Sequence, residues 1–277
     1  MNSLNNHDAN ERSNTNSVRV TAVDDESRSA SIDGLVLSVM DYKDSDGLVT
    51  LATPEELIKV YARGIQKEKS KNRRLFAPFS LSHINYDPKY SGEFLYLING
   101  SVIDSWWKCS ESLEIQTASA LIVNLIERHG INAQIYSSLQ AFWSCAHKGR
   151  TEDALLAACK AVIEILREAG MVMNVDECVL CSRTDRIAGV SMKEGGFVCL
   201  DCLDHLEEDN LPWSKENLML LRRLVRLPLM QLFKQPLRPK DFAMLIELFE
   251  WYQYYSDFRM RSLDFLKMLR KERLNAF

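Results

Sequence analysis

The chain has 277 residues, of which 46% are hydrophobic and 26% charged, and its formal net charge at pH 7 is −4. This length supports two packed domains, and the composition is that of an ordinary globular protein. No apolar run approaches the roughly 20 residues that a membrane helix requires, so we expect no membrane-spanning segment. Because the net charge is modest, any nucleic-acid interface must come from local clusters of positive charge.

Residues 1–31 are rich in Asn, Ser and Asp and contain few apolar positions. Such a composition buries little apolar surface, so we predict a disordered extension without an assigned function. The polar stretch 1–16 has no apolar core of a secretory signal. We therefore expect a reducing cytoplasmic environment, in which paired cysteines more often hold a metal than form disulfides.

Five short β-prone runs follow, separated by polar turns at 41–47, 53–56 and 87–92. The runs are Leu35–Met40, Leu48–Leu51, Ile58–Tyr61, Leu81–Tyr86 and Glu93–Ile98. Regularly spaced short strands are typical of small barrels and sandwiches, and five strands favour the OB-fold. We predict an OB-fold β-barrel domain over residues 32–108.

A cluster of positive charge lies between the third and fourth predicted strands. The candidate DNA-binding residues in it are Arg63, Lys67, Lys69, Lys71, Arg73 and Arg74. Long Lys and Arg side chains suit phosphate contacts, which depend on charge more than on fixed geometry. A solvated surface hairpin would have the same composition, but OB-folds bind single strands through a basic groove, which favours a nucleic-acid interface. An RNA-binding or ribosome-associated protein with an OB-fold and a zinc ribbon is the alternative.

The carboxylates of Asp41, Asp44 and Asp46 could hold a divalent ion for hydrolysis. They occupy a turn with Ser45 and Gly47, however, where Asp is common because of local hydrogen bonds. The sequence contains no phosphate-binding loop, nucleophile elbow or deaminase motif. We therefore predict a protein that is not an enzyme and has no catalytic residues.

After Trp107 the hydrophobic period changes from two to 3.6, which predicts a helical domain over residues 109–277. The first predicted helix ends at Gly130, and the others cover about 132–147, 152–169, 214–226, 239–255 and 262–273. We expect Thr151 and Ser214 to cap two of these helices and Pro239 to occupy the first turn of another.

Two cysteine pairs interrupt the helical pattern: Cys178-Val-Leu-Cys181 and Cys199-Leu-Asp-Cys202, with seventeen residues between them. Each two-residue spacer lets both sulfurs of a turn point at one ion, and Gly189, Gly195 and Gly196 help the intervening loop to return the second pair. We predict one structural Zn²⁺ held by these four cysteines in a ribbon at about 176–205. Two disulfides are the alternative. Four thiolates close the zinc tetrahedron, so we expect no open position for catalysis.

A second basic cluster lies on the helix that Ser214 is predicted to cap. Arg222, Arg223 and Arg226 stand there beside leucines, an arrangement that an acidic peptide ending in hydrophobic residues would fit. Any amphipathic surface helix would have the same pattern. We retain these three arginines as a candidate site for a partner peptide.

The order of these parts resembles the RecO family of bacterial recombination mediators. Gly34-Leu-Val-Leu followed by Asp41–Thr53 is similar to the first hairpin of that family, and Ala62-Arg-Gly64 through Ala77-Pro-Phe79 is similar to its basic-loop signature. Arg261-Ser-Leu263 with Phe265-Leu266 resembles its closing helix. The cysteine pairs match the zinc motif of its metal-bearing members. The resemblance covers most of the chain, from about Asp33 to Leu269.

The resemblance implies an OB-fold followed by a helical domain, binding of single- and double-stranded DNA, and strand annealing. It further implies cooperation with RecR, sometimes with RecF, in loading RecA onto DNA coated by single-strand-binding protein, whose acidic tail docks on the helical domain. It implies a cytoplasmic, nucleoid-associated protein. Arg63, Lys69 and Arg73 match basic positions of the family loop, whereas Glu68 stands where a cation is frequent. The family's turn glycine before the third strand is replaced here by Thr53-Pro-Glu-Glu56.

Overall fold

The structure is a computed structural model and describes residues 29–90, 92–206 and 213–275. Almost all of the predicted N-terminal extension lies outside the described residues. The first strand begins at Ala30, two residues before the predicted domain boundary at residue 32.

Five strands close into a barrel in the order β1-β2-β3-β5-β4. They are β1 (Ala30–Tyr42), β2 (Asp46–Ala52), β3 (Leu57–Ala62), β4 (Ser80–Tyr86) and β5 (Leu95–Ser105). All neighbours are antiparallel except β3 and β5, which pair in parallel through Tyr61 and Tyr96 among other residues. The closed barrel of five strands confirms the predicted OB-like architecture.

Two strands are longer than the sequence pattern indicates. The first half of β1 pairs with β4 and its second half with β2, and the register shifts between Val36 and Ser38. Strand β5 continues through polar residues because it pairs with β4 from Leu97 to Ser105. Gly100 permits this pairing, since a Cβ atom there would lie 2.3 Å from the carbonyl oxygen of His83.

Alternating residues of the strands point into the barrel, as expected for strands with one buried face. Val49, Leu51, Val60 and Ile84 are fully buried there. The segment after β3 completes this core. It contains a 3-10 helix at Lys71–Phe76, and it buries Ile65, Leu75 and Phe76 against the strand residues.

The described residues after the barrel are mainly helical and include one small sheet, as predicted. Three helices come first: α1 (Leu113–His129), α2 (Ala133–His147) and α3 (Thr151–Glu168). A two-stranded antiparallel sheet of β6 (Ile187–Ser191) and β7 (Gly196–Cys199) follows. The remaining helices are α4 (Leu200–Leu203), α5 (Lys215–Arg226), α6 (Leu229–Leu232), α7 (Ala243–Ser256) and α8 (Arg261–Asn275).

Helix α3 forms the centre of the helical core, because every residue from Ala154 to Leu166 is buried. Two of these residues carry charge. The ammonium group of Lys160 lies 2.5 Å from the carboxylate of Glu164 and donates a hydrogen bond of 2.9 Å to the carbonyl oxygen of Leu224. Burial lowers the pKa of Lys160, and the bond to Glu164 partly offsets that effect. The pair links α3 to α5.

One end of the barrel packs directly on the helices. The indole ring of Trp143, in α2, lies 5.4 Å from the ring of Phe79 and 6.0 Å from that of Trp106, measured between centroids. The backbone N–H of Trp106 donates a 2.8 Å hydrogen bond to the carbonyl of Phe79. The three buried rings therefore join the barrel to the helical region by apolar contact.

Helix boundaries largely follow the predictions, with two exceptions. Ser214 caps α5 by accepting the N–H of Asn217, but Thr151 is the first residue of α3 rather than its cap. Pro239 also lies outside α7, which begins at Ala243 because the Asp241 carboxylate accepts the Ala243 N–H at 2.8 Å. None of the helices in the described ranges combines the length and apolar character needed to span a bilayer.

Candidate nucleic-acid interface and metal centre

We use the name basic segment for residues Arg63–Phe76. Its six predicted cations are all exposed. The ion pairs formed among the described residues include none of the six. Exposed cations without carboxylate partners keep their full charge available for an anionic ligand.

The basic segment is anchored to the barrel. Ile65, Leu75 and Phe76 are buried in the barrel core. The hydroxyl of Ser82, in β4, donates a hydrogen bond to the carbonyl oxygen of Leu75. Apolar side chains thus hold the segment on the barrel while its cations point outward.

Four of the cations share one cleft with the barrel surface. Lys69, Lys71, Arg73 and Arg74 line a cleft of about 980 Å³, whose other walls come from β1 and from residues 76–78. The apolar wall includes Val36, Val39 and Phe76, and Glu68 contributes the one carboxylate. The cleft therefore combines a cationic rim with an apolar wall.

Asp46 fixes the start of the basic segment. Its carboxylate accepts hydrogen bonds from the Tyr61 hydroxyl and, at 2.7 Å, from the backbone N–H of Gly64. These two bonds lower the pKa of Asp46, and the Tyr61 bond has the larger effect; the same bond raises the pKa of Tyr61. Gly64 has φ of +65°, which only glycine adopts without strain. The N–H of Gln66 also bonds to the carbonyl of Ser45 at 2.9 Å.

Two of the three carboxylates considered for metal-dependent hydrolysis are therefore hydrogen-bonded to the basic segment, since the side chain of Asp41 accepts a 2.6 Å bond from the Gln66 amide. In the described part of the chain, the four cysteines are the one set of three or more potential ligands close enough to share an ion. The structure gives no support to a metal site at the aspartate turn.

The structure brings all four predicted cysteine ligands together. The sulfurs of Cys178, Cys181, Cys199 and Cys202 lie within 4.8 Å of one another. The Sγ atoms of Cys181 and Cys199 are 3.7 Å apart. Four sulfurs at about 2.3 Å from one zinc ion would stand about 3.8 Å apart, because they occupy the corners of a tetrahedron. All seven cysteines lie in the described ranges, and none of them forms a disulfide.

The local charges of the cluster also fit a cation. Burial opposes ionisation of Cys178, but backbone N–H groups, including that of Cys199, outweigh it and lower its pKa to about 6. The neighbouring sulfurs of Cys181 and Cys199 raise the pKa of Cys202 to about 12. Four thiolates so close together need a positive ion among them, and a metal ion provides that charge.

The folding of the ribbon explains how the pairs meet. The first pair lies in a turn, in which the N–H of Ser182 bonds to the carbonyl of Cys178 at 2.8 Å. The second pair spans the end of β7 and the short helix α4. The N–H of Val179 bonds to the carbonyl of Phe197 at 2.9 Å, which ties the first turn to β7.

Two of the arginines proposed for a partner peptide contact the chain itself. The Nε group of Arg222 donates a 2.8 Å hydrogen bond to the carbonyl of Val175, and its guanidinium lies 5.1 Å from the ring centroid of Phe197. Arg226 forms an exposed ion pair with Asp176, with Nε 2.7 Å from a carboxylate oxygen. These contacts bind helix α5 to the segment that leads into the ribbon.

The third arginine of that cluster is half-buried. One terminal nitrogen of Arg223 is buried and has no hydrogen-bond partner in the described part of the molecule, and the same holds for one terminal nitrogen of Arg222.

Two family models match consecutive parts of the chain. The model named "Recombination protein O N terminal" matches residues 28–106, which include the barrel and the basic segment. The model named "Recombination protein O C terminal" matches residues 115–264, which include the cysteine cluster and α5. The chain belongs to the RecO family. The resemblance inferred from the sequence is confirmed.

Several RecO relatives are similar over most of their length, and each bears the name DNA repair protein RecO. The chain is 27% identical to the protein of Syntrophomonas wolfei over 198 residues, covering 69% of this chain and 77% of the relative. Identity to the protein of Halalkalibacterium halodurans is 26% over 243 residues, which cover 86% of this chain and 94% of the relative. Identity to the Bacillus subtilis protein is 25% over 243 residues, which cover 86% of this chain and 93% of the relative.

The residues that anchor the basic segment of this RecO chain were not predicted from its sequence. Ile65 interrupts a strongly cationic run and Leu75 and Phe76 end it, and these apolar residues were the available signal. The role of Asp46 was not predicted either, because it resembles an ordinary turn residue. Hydrogen bonding to Gly64, eighteen residues later in the sequence, depends on the closed barrel.

We predict that Asp46→Ala loosens the basic segment of this RecO chain, because the Gly64 N–H at its start and the neighbouring Tyr61 hydroxyl both lose their acceptor. Limited trypsin digestion, which cuts after the cations of the segment, should proceed several-fold faster than in the unaltered protein. Asp44→Ala, in the same exposed turn, is the matched control and should leave the rate unchanged. Equal rates for Asp46→Ala and the unaltered protein would show that the apolar anchors suffice.

Proposed function

We propose that this protein is a non-enzymatic DNA-binding mediator in DNA repair, which binds single- and double-stranded DNA and promotes strand annealing. Membership of the RecO family and the names of the relatives support a role in DNA repair. The observation that carries the DNA-binding part is the basic segment. Six exposed cations are fixed on one side of an OB-like barrel, four of them around a single cleft. The site residues remain those predicted from the sequence: Arg63, Lys67, Lys69, Lys71, Arg73 and Arg74.

The proposal includes the division of the chain into a barrel domain over 32–108 and a helical domain over 109–277. Cations held at fixed positions along a cleft can follow the regularly spaced phosphates of a strand without reading its sequence. A mediator has to bind any sequence, so this kind of contact suits it. We also propose a cytoplasmic, nucleoid-associated location, because the ligand is chromosomal DNA.

The partners that we propose follow the family resemblance. They are RecR, the acidic carboxyl-terminal tail of single-strand-binding protein, and, indirectly, RecF and RecA. The proposed role is to help load RecA onto DNA coated by single-strand-binding protein. Competition between single-stranded DNA and structured RNA of equal length tests the specificity for DNA, and preference for RNA would support the ribosome-associated alternative.

Charge reversal in the cleft tests the DNA-binding proposal. We expect Lys69→Glu with Arg73→Glu to lower the affinity for single-stranded DNA by on the order of tenfold or more. The slope of the logarithm of the binding constant against the logarithm of the salt concentration should become shallower by about 1.4, because each of the two lost phosphate contacts removes about 0.7. Fluorescence anisotropy of a labelled oligonucleotide over a salt series measures both quantities.

A matched control changes the net charge by the same amount elsewhere. Arg261→Glu with Lys271→Glu alters two exposed cations of α8 and should leave affinity and slope close to those of the unaltered protein. Equal losses in both double variants would mean that net charge, not the basic segment, determines binding.

We propose that Cys178, Cys181, Cys199 and Cys202 hold one structural Zn²⁺. The sulfur positions support this ion, and four thiolate ligands leave it no open coordination position. When bound, zinc supplies a cross-link between the first turn of the ribbon and β7. The proposed role is therefore to stabilise the ribbon and the α5 surface that contacts it.

Removing one ligand tests the metal proposal. We expect elemental analysis to find about one zinc ion per chain in the unaltered protein and much less in Cys178→Ser. The variant should also unfold at a midpoint temperature lower by more than about 5 °C, since each kcal/mol of lost stability shifts the midpoint of a domain this size by about 2–4 °C. DNA affinity should fall only after the helical region unfolds. Cys145→Ser, outside the cluster, should retain the metal, and full stability of metal-free protein would contradict the structural role.

A charge-swap design tests Arg226 as part of the peptide site with Arg222 and Arg223. Arg226→Glu should abolish capture of the tail peptide of single-strand-binding protein in a pull-down, but it also breaks the ion pair with Asp176. Adding Asp176→Arg restores an ion pair of reversed polarity. If Arg226 contacts the peptide, capture stays lost in the double variant; recovery of capture would show that the arginine acts only within the protein. RecR capture in the same assay reports that the fold is intact.

A further inference from the structure

A row of apolar side chains crosses four strands on the outside of the barrel. Met40 of β1 pairs in register with Leu48 of β2, Leu48 with Tyr61 of β3, and Tyr61 with Tyr96 of β5. Met40 is 58% exposed and Tyr96 is 41% exposed, so both ends of the row face outward. Contiguous exposed apolar surface of this kind marks a binding site more often than isolated exposed residues do.

The aromatic rings of this row form one cluster. The ring of Tyr61 lies 5.8 Å from that of Tyr42 and 5.3 Å from that of Tyr96, both edge to face. The hydroxyl of Tyr61 is fixed by its hydrogen bond to Asp46. Tyr42, 38% exposed, and Tyr96 therefore flank a ring that cannot easily turn.

Cations border the cluster. The ammonium group of Lys43 lies 5.3 Å from the centroid of the Tyr42 ring and 5.9 Å from that of Tyr61. Arg63 follows two residues after Tyr61 and starts the basic segment, and Asp46 bonds to both Tyr61 and Gly64. Exposed rings and unpaired cations thus lie side by side on one surface.

We propose that Tyr42 and Tyr96 form a stacking platform for unpaired bases, which adds selectivity for single strands to the charge-based binding of the basic segment. The inference rests on the proposed DNA-binding function. An exposed ring offers a flat apolar face that accepts any base, while the neighbouring cations hold the phosphates on either side of it. The bordering cations favour a nucleic acid over an apolar protein partner.

The platform discriminates between single and double strands on physical grounds. Bases in a duplex already stack on one another, so their faces are closed to a side chain. Bases in a single strand can turn outward and lie against a ring. The basic segment can contact the phosphates of both forms, whereas the tyrosines gain contacts only from the single strand.

Three ligands of equal length separate base stacking from phosphate contacts: a deoxythymidine oligonucleotide, an abasic strand with the same number of phosphates, and a duplex. We expect Tyr42→Leu with Tyr96→Leu in the full chain to weaken binding of the oligonucleotide by about 25-fold or more, because each of two stacked bases contributes about 1–3 kcal/mol, or about 5- to 150-fold. Affinity for the abasic strand and for the duplex should remain unchanged.

Two controls accompany the double variant. Tyr42→Phe with Tyr96→Phe keeps the rings and should retain most of the affinity for the oligonucleotide. Tyr254→Leu removes an exposed tyrosine of α7 and should leave all three affinities unchanged. Circular dichroism melting establishes that each variant folds.

The outcomes distinguish this inference from the function on which it rests. Equal losses for the oligonucleotide and the abasic strand, or no loss for either, would overturn the platform while leaving DNA binding by the basic segment intact. Loss of RecR capture with unchanged affinity for all three ligands would assign the surface to a protein contact and also overturn it. Failure of the unaltered protein to bind even the abasic strand at low salt would contradict the proposed function itself, and the platform with it.

Discussion

Burial of Ile65, Leu75 and Phe76 in the barrel core determines how the rest of the barrel surface is arranged. The strands alone leave part of that core open, and the segment after β3 fills it. Because its apolar residues point inward, its six cations are exposed, and four of them line one cleft. The same packing that stabilises the barrel therefore creates the cationic surface, so stability and the proposed DNA binding depend on one set of contacts.

The cysteine cluster organises a second region by different physics. Four sulfurs close together are unfavourable as thiolates unless a cation lies among them, so the proposed metal binding would be coupled to folding of the ribbon. Helix α5 contacts the start of the ribbon through Arg222 and Arg226, which bond to Val175 and Asp176. The metal centre can thus influence the arginine surface of α5 without touching DNA. This separation would let one chain combine the proposed DNA-binding barrel with the proposed helical surface for protein partners.

Much of this architecture could be predicted from the sequence because it depends on local patterns. Alternating β-prone runs indicated the five strands, and the spacing of the cysteines indicated the metal cluster. What escaped prediction depends on distant contacts. The pairing of β5 with β4 extends a strand through polar residues. Helix α7 begins after Pro239, where Asp241 accepts a backbone N–H. Asp46 contacts Gly64 only in the closed barrel. The anchoring of the basic segment also depends on distant contacts. A cationic run has the composition of a solvated loop, and its buried residues are recognised only from their packing in the barrel core.

We propose that the anchored basic segment forms the DNA-contacting surface. Hydrogen–deuterium exchange with and without a single-stranded oligonucleotide tests this proposal, because it reports on backbone amides along the whole chain. We expect DNA to slow exchange across residues 63–76 and the adjoining part of β1, with little change in α7 and α8. Protection confined to the helical region, with none in the basic segment, would contradict the account.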